Sequence, residues 1–293
     1  MIGDREEPDK PLPVVLKPVL DELLSSWLGR HATYYGLTKP FFAKWLMLGT
    51  SNLSTLDQRL SLQQVVRLSE KLRSDPTALV GMTFVGNLEQ SSDIICRGRV
   101  PQICRPCADQ YAKEDAIGAI AKHWRKAWRI TCPVCGSPLS DTNEHPDNRE
   151  CLRDTSPFGR LWSEALVGEV IIERFLDGDG SFEYSPITLM RLLLVQTWRP
   201  FVPMEATKAP SAGSSAHSFH NSMSKQDRSS AGSLTFSTLP IHLRPALLAG
   251  ISRVMTNPDI FRELRNETIF RGRENFDRLH LEAKTGGASK KRH

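Results

Sequence analysis

Two pairs of cysteines have the spacing of a metal site. Cys104 and Cys107 form one CxxC pair, Cys132 and Cys135 form another, and about two dozen residues separate the pairs. A CxxC turn can place two sulfurs about 3.5 to 4 Å apart, on one side of a tetrahedral zinc ion. No further ligand is evident nearby, so we predict one structural Zn²⁺ bound by all four thiolates. A redox dithiol or a set of buried free cysteines is the alternative.

The insert between the pairs is predicted to be a helix with a positively charged face. Its apolar residues recur at helical spacing, and we expect the two tryptophans among them to pack in the core: Ile117, Ile120, Ala121, Trp124 and Trp128. Four cations follow at i, i+3, i+4 and i+7: Lys122, Arg125, Lys126 and Arg129. Each of these cations could neutralise a phosphate, so we predict nucleic-acid contacts at this face. A solvated charged face is the other interpretation.

Composition indicates a water-soluble protein of ordinary domain size. The chain has 293 residues, of which 40% are apolar and 24% charged, with a net charge of +5. No apolar run approaches the roughly 20 residues of a membrane span, and Met1–Lys10 does not resemble a signal peptide. We therefore expect a cytoplasmic protein in a reducing compartment. Cys96 and Cys151 stand alone, without a partner at ligand spacing.

Helical patterns dominate the region before the cysteines. Leu20, Leu23, Leu24, Trp27 and Leu28 begin an apolar stripe that predicts the first helix, with His31 in the core. Thr38 is expected to cap a second helix, whose buried face is predicted to contain Phe41, Phe42, Trp45 and Leu46.

A capping box and a proline predict two further helices. Ser61 and Gln64 form the box that opens the third helix, for which we predict an apolar side of Leu62, Val65, Val66, Ser69 and Leu72. Asp75 and Pro76 begin a short fourth helix. This helical pair could be a DNA-reading helix-turn-helix or a hairpin common to helical domains.

The second half of the chain reads as helices joined by polar segments. We predict five regions: an N-terminal helical domain (1–95), a zinc-binding module (96–141), a helical region (142–206), a flexible Ser/Gly-rich linker (207–233), and C-terminal helices with a basic tail (234–293). The predicted fold is mainly α, a helix-turn-helix-like N-terminal domain with an inserted four-cysteine module and a helical C-terminal domain. The chain shows no phosphate-binding glycine loop, GxSxG, HExxH or acidic cluster, so we predict that it is not an enzyme.

Three motifs in this order resemble the TniQ family, relatives of transposon target-selection proteins. SSWLGRHATYYGL (25–37) is similar to the opening helix of the family. ALVGMTF (78–84) is similar to the end of its helix-turn-helix region, and HWRKAWRITCPVCGSPL (123–139) to its zinc module. The family usually has histidine at the position of Cys135, so this site would be a four-cysteine variant.

This resemblance implies a zinc-containing adaptor in DNA transposition that has no catalysis of its own. Such a protein binds target DNA or a target nucleoprotein complex and recruits an AAA+ ATPase regulator and, through it, the transposase. A second copy of the chain is a further possible partner, and no membrane is involved. A zinc-containing helix-turn-helix transcription regulator and a zinc-stabilised protein–protein scaffold are the alternatives.

Overall fold

A computed structural model provides the structure. It describes residues 10–85, 94–96, 102–141, 159, 161–179, 181–182, 185–195, 239, 241 and 244–257. These residues divide between two compact units. The first contains the described residues of Met1–Ile95, Ile103–Lys126 and Cys132–Ser137; the second contains those of Cys96–Gln102, Ala127–Thr131 and Pro138–His293.

The described residues are mainly helical, as predicted. The first unit contains α1 (Leu24–Tyr34), α2 (Lys39–Trp45), α3 (Leu62–Leu72), α4 (Pro76–Gly81) and α5 (Arg105–Lys113), with short 3₁₀ helices at Leu53–Thr55 and Lys122–Arg125. The second contains α6 (Trp162–Leu176), α7 (Pro186–Val195) and α8 (Arg244–Thr256). Two strands, β1 (Gln102–Ile103) and β2 (Ser140–Asp141), have two residues each. None of these described helices has the length and apolar content needed to span a bilayer.

Local capping starts three helices where the sequence predicts. The Thr38 side chain accepts a hydrogen bond from the Phe41 amide at the start of α2. Ser61 and Gln64 exchange the two hydrogen bonds of a capping box before α3. Asp75 accepts from the Ala78 amide before α4. Each side chain satisfies amides that the first helical turn leaves unpaired.

The core of the first unit is rich in aromatic and leucine side chains. Trp27, Phe42 and Leu46 are buried, together with Leu68 and Leu72. His31 is also buried: its Nε2 accepts from the Leu16 amide, and its Nδ1 lies 2.9 Å from the carbonyl oxygen of Trp27. His31 is thus a core histidine, as predicted, and burial lowers its pKa.

Several predicted core positions are exposed instead. Leu20 precedes α1 and is 68% exposed, and Phe41 is exposed on α2. On α3 the buried side contains Val65, Leu68 and Leu72, whereas Leu62 and Val66 face solvent. Apolar spacing identified the helices correctly, but the choice of buried side depends on the neighbouring helices.

The long helix predicted over the basic segment is wrong. Between α5 and Cys132, the only helix in the described backbone is the four-residue 3₁₀ helix, and Asp115 and Gly118 have left-handed φ values of 55° and 80°. The backbone here pairs with a distant segment: the Leu23 amide donates to the Ile120 carbonyl and the Lys122 amide to the Asp21 carbonyl. These tertiary bonds take the groups that an α-helix would have used.

The second unit is built around the packing of α8 against α6 and α7. Leu247, Leu248 and Ile251 are fully buried on α8, and Ala165 and Ile172 on α6. Gly168 lies where α6 approaches α8 closely, because a Cβ at this position would clash with the backbone carbonyl of Leu248. A glycine inside a helix costs about 1 kcal/mol relative to alanine, so this approach explains its presence.

The boundaries of the five predicted regions stay predictions. The predicted Ser/Gly-rich linker, the basic tail and Cys151 lie outside the described residues, as does Leu243, a predicted apolar position near α8.

Candidate metal centre

The four cysteines of the two CxxC pairs come together in the first unit. Their sulfur atoms all lie within 4.8 Å of one another. The Sγ of Cys104 is 3.3 Å from that of Cys135, and the Sγ of Cys107 is 3.6 Å from that of Cys132 and 3.7 Å from that of Cys135. Tetrahedral zinc with Zn–S bonds of about 2.3 Å requires sulfur separations of about 3.8 Å. A group that could hold a metal ion is therefore present where the spacing predicts.

Local backbone structure positions each pair. Cys104 immediately precedes α5 and Cys107 lies in its first turn, so the helix start presents both sulfurs. In the second pair, the Cys132 amide donates to the Ser137 carbonyl and the Gly136 amide donates to the Cys132 carbonyl, both at 2.8 Å. Gly136 has a φ of 73°, which an L side chain rarely adopts, and this closes the turn around Cys135.

The four thiols of the cluster lie in unlike environments. Burial raises the pKa of Cys104 well above its ordinary value and that of Cys107 to about 12. Hydrogen bonds from Ser137 lower the pKa of the exposed Cys135 thiol to about 6. Buried sulfurs this close repel one another once deprotonated, and a divalent cation removes that cost because it binds them as thiolates.

The residues fit zinc better than a hard cation. Four sulfur donors and no carboxylate make up the group, and soft thiolates favour Zn²⁺ over Mg²⁺ or Ca²⁺. A four-sulfur set fills a tetrahedral ion completely. Such an ion would act as a cross-link between α5 and the 132–137 turn.

A histidine that the sequence reasoning assigned no role lies beside this cluster. His123 is 1% exposed, and its Nε2 lies 3.3 Å from the Sγ of Cys132. On the other side of the ring, Nδ1 is 2.7 Å from the Asp21 carboxylate, which also accepts from the His123 backbone amide at 3.1 Å. Asp21 precedes Cys132 by more than a hundred residues, so no local motif could reveal the contact.

The carboxylate of Asp21 is held in its ionised form. Burial opposes ionisation, but the hydrogen bonds and charge of His123 and the charge of Lys122 outweigh burial, so the pKa of Asp21 lies below its usual value. Asp21 has a left-handed φ of 56°. This conformation directs both its backbone carbonyl and its side chain to residues 122 and 123.

The four predicted phosphate-binding cations have different surroundings. Lys122 is half-buried and donates to the Gly81 carbonyl at 2.8 Å. Arg125 and Lys126 are also half-buried, and the charge of Arg125 acts on buried Asp57. Arg129 belongs to the second unit, is only 5% exposed, and pairs with Glu169 and Glu173. The four therefore do not share one helical face.

The tryptophans of this segment pack, as predicted. Trp124 is 1% exposed in the first unit and lies against Tyr111, with ring centroids 5.9 Å apart. Trp128 is fully buried in the second unit, and the guanidinium of Arg129 lies 4.7 Å from its ring centroid. Neither ring has the exposure that base stacking requires.

Residues 13–139 match the family model described as TniQ. The match includes α1 to α5 and all four cysteines of the cluster. No curated protein and no solved structure matches the chain.

Proposed function

We propose, from the match of residues 13–139 to the TniQ family model, that the protein belongs to this transposition-associated family and is a non-catalytic zinc-containing adaptor. It binds target DNA or a target nucleoprotein complex and recruits an AAA+ ATPase regulator, which brings the transposase. The match to TniQ is the observation that carries this proposal.

Zinc bound by Cys104, Cys107, Cys132 and Cys135 has a structural role in this function. The cluster lies in the same unit as α1 to α4, and the backbone around Ile120 and Lys122 bonds to residues 21 and 23 just before α1. Cross-linking α5 to the 132–137 turn therefore stabilises the support on which the N-terminal helices rest.

Nucleic-acid contact is proposed for Lys122, Arg125, Lys126 and Arg129, through phosphates and without base reading. To bind a phosphate, each of these side chains must give up a contact within the protein. Arg129 would lose the most, because it pairs with both Glu169 and Glu173. The half-buried Arg125 and Lys126 therefore make the sharpest test. Arg125→Ala with Lys126→Ala should reduce the dependence of log K on log salt by about 1 to 2 units, since each lost phosphate contact removes about 0.9.

The matched control is Arg174→Ala, which removes an exposed cation from α6 in the other unit. It should leave the salt dependence of DNA binding unchanged. Equal slopes for the wild type and the Arg125/Lys126 double variant would remove these two cations from the proposed interface.

The composition of α4 favours an adaptor over a transcription regulator. A recognition helix reads base edges with Arg, Lys, Asn or Gln, and α4 consists of Pro-Thr-Ala-Leu-Val-Gly. Its Thr77 hydroxyl already bonds to Asp75. The adaptor is expected to recruit an AAA+ ATPase, whereas a transcription regulator would bind DNA without one.

Affinity purification of the full chain from its native host tests the recruitment. DNA and an AAA+ ATPase should be retained by the wild type and lost with Cys107→Ser. The Cys96→Ser variant is the matched control, because Cys96 is buried outside the cluster. A folded, zinc-loaded wild type that retains neither partner contradicts the proposal.

A further inference from the structure

A chain of polar contacts leads from the cysteine cluster to the residues that precede α1. It runs from the Sγ of Cys132 to Nε2 of His123 at 3.3 Å, and from Nδ1 of His123 to Oδ2 of Asp21 at 2.7 Å. The backbone completes it, because the Lys122 amide donates to the Asp21 carbonyl at 2.6 Å. All of these residues belong to the first unit.

Metal binding by the cysteines would determine which atom donates in the contact between Cys132 Sγ and His123 Nε2. A metal-bound cysteine is a thiolate, which has no proton to give and can only accept a hydrogen bond. Four thiolates around one divalent cation leave a net charge of about −2, and burial makes this charge costly. A hydrogen bond from Nε2 to the buried Cys132 sulfur reduces that cost where water has little access.

We propose that His123 is a positioning residue for the metal centre: as the imidazolium, it donates from Nε2 to the Cys132 thiolate and from Nδ1 to the Asp21 carboxylate, which holds the ring in place. Zinc affinity then depends on two residues that do not touch the ion, one of them at the start of the N-terminal helices. Conserving the donor at the Nε2 position matters more than conserving the ring.

The same contacts make the segment before α1 sensitive to the metal. Asp21 adopts a left-handed φ and is followed by buried Glu22, whose carboxylate bonds to the Val19 amide and to Ser26. Leu23 donates to the Ile120 carbonyl. Binding of zinc should therefore slow hydrogen exchange at the Lys122 and His123 amides, both of which donate to Asp21.

Two substitutions separate the two sides of the ring. In His123→Gln, the side-chain amide nitrogen takes the position of Nε2 and can still donate to Cys132. In His123→Asn, it takes the position of Nδ1 and faces Asp21 only. The experiment measures the zinc affinity of the full chain by chelator competition and the sulfur-to-metal charge-transfer band of the Co²⁺-substituted protein.

His123→Asn should weaken zinc binding about 10- to 100-fold and shift the charge-transfer band, as expected for loss of an outer hydrogen bond to a ligand. His123→Gln should stay within about threefold of the wild type. Asp21→Asn should weaken binding by a few-fold to about tenfold and slow the His123 amide less on zinc addition. His31→Gln is the control and should leave zinc affinity unchanged, because this buried histidine of α1 bonds to the Leu16 amide and the Trp27 carbonyl.

Equal effects of Asn and Gln at position 123, or wild-type affinity in both, would overturn the role of Nε2. Wild-type affinity in Asp21→Asn would overturn the role of the carboxylate. The inference rests on the proposed zinc site, and the two can fail separately. A wild-type chain that binds no zinc refutes the site itself, whereas a wild type that binds zinc normally beside indifferent variants refutes only the outer contacts.

Discussion

Each unit of this protein contains a cluster of buried polar groups, and the two clusters differ in how they can be stabilised. In the first unit, four cysteine sulfurs lie together and could bind a cation from outside the chain. The second satisfies its buried charges internally: Glu169 accepts from Arg129, from the backbone amides of residues 130 and 131, and from the Thr131 hydroxyl. Arg244 is 1% exposed and donates to the Leu239 carbonyl and the Cys96 sulfur.

This difference predicts that the stabilities of the two units depend on different solution conditions. Thiolate binding of zinc competes with protons and chelators, so the stability of the first unit should follow metal and pH. The buried ion pairs of the second unit are internal to the chain. Burial still raises the pKa of Glu169, although Thr131 and Arg129 favour its ionised form. The stability of the second unit should therefore respond to substitution of these residues rather than to chelation of metal.

The largest effect should come from removing one metal ligand. Cys107→Ser is expected to abolish stoichiometric zinc and destabilise the first unit by a large part of the roughly 10 kcal/mol that structural zinc contributes in small peptides. Zinc content and chemical unfolding of both units measure this. Cys96→Ser should keep one zinc per chain. If Cys107→Ser still bound zinc and unfolded as the wild type does, the first unit would not depend on metal for its stability.

Truncating the buried arginine should damage the second unit instead. Arg129→Ala leaves the Glu169 carboxylate buried without its cation, which costs about 3–5 kcal/mol for such pairs. The sequence pattern predicts only a phosphate contact for Arg129, and its burial adds a role in stability. Denaturant unfolding is the measurement. Arg174→Ala, at an exposed ion pair, should change little, and equal stability of both variants would show that the buried pair is replaceable.

Close packing of α6 and α8 can be tested at Gly168. Gly168→Ala should cost about 3 kcal/mol or more, because its methyl group clashes with the Leu248 carbonyl and one helix must move. Gly81→Ala is the control, since nothing lies within 4 Å of a Cβ at that position in α4. It should be neutral or slightly stabilising. Equal thermal stability of Gly168→Ala and Gly81→Ala would contradict the close approach of α6 and α8.

The smallest expected effect is a pH dependence from Asp57 in the first unit. Burial raises the pKa of Asp57 to about 6 from the ordinary 3.8, although two hydrogen bonds from Ser25 favour the ionised form. A raised folded-state pKa means that the folded protein binds the proton more tightly. Its contribution is therefore complete below pH 4 and is lost as pH rises to about 6, by at most about 3 kcal/mol.

Asp57→Asn should remove this dependence. The measurement is the free energy of unfolding between pH 4 and pH 7 for the metal-loaded wild type and variant, taken as their difference so that other groups cancel. A difference that stays constant over this range would place the carboxyl group in contact with water.

Short-range features could be predicted well from the sequence. The caps at Thr38, Ser61 and Asp75 are confirmed because each involves groups within three residues of one another. The grouping of the four cysteines is confirmed because CxxC turns form pairs locally and leave only one long-range step. The zinc ion and its role stay predictions.

The prediction of a long helix over Lys122–Arg129 was wrong because helical spacing alone does not determine the backbone conformation. Lys122, Arg125 and Arg129 do have helical spacing in the sequence. In the structure, however, residues with left-handed φ values interrupt the segment, and its backbone hydrogen-bonds to Asp21 and Leu23 instead of forming an α-helix. Burial of Arg129 followed from Glu169, forty residues later. Periodicity reports which side chains could share a face, and it cannot report which distant backbone groups compete for the same amides.

The sequence by itself determined the family resemblance, the mainly helical fold, the caps and the sulfur ligand set, since each depends on residue types at short spacing. Tertiary structure alone decided which sides of α2 and α3 are buried, that Arg129 is an internal ion-pair partner, and that His123 and Asp21 adjoin Cys132. The physical reason is the same in each case. A contact between residues far apart in the chain is selected by burial and by hydrogen-bond satisfaction in the folded protein, and neither quantity exists until the chain has folded.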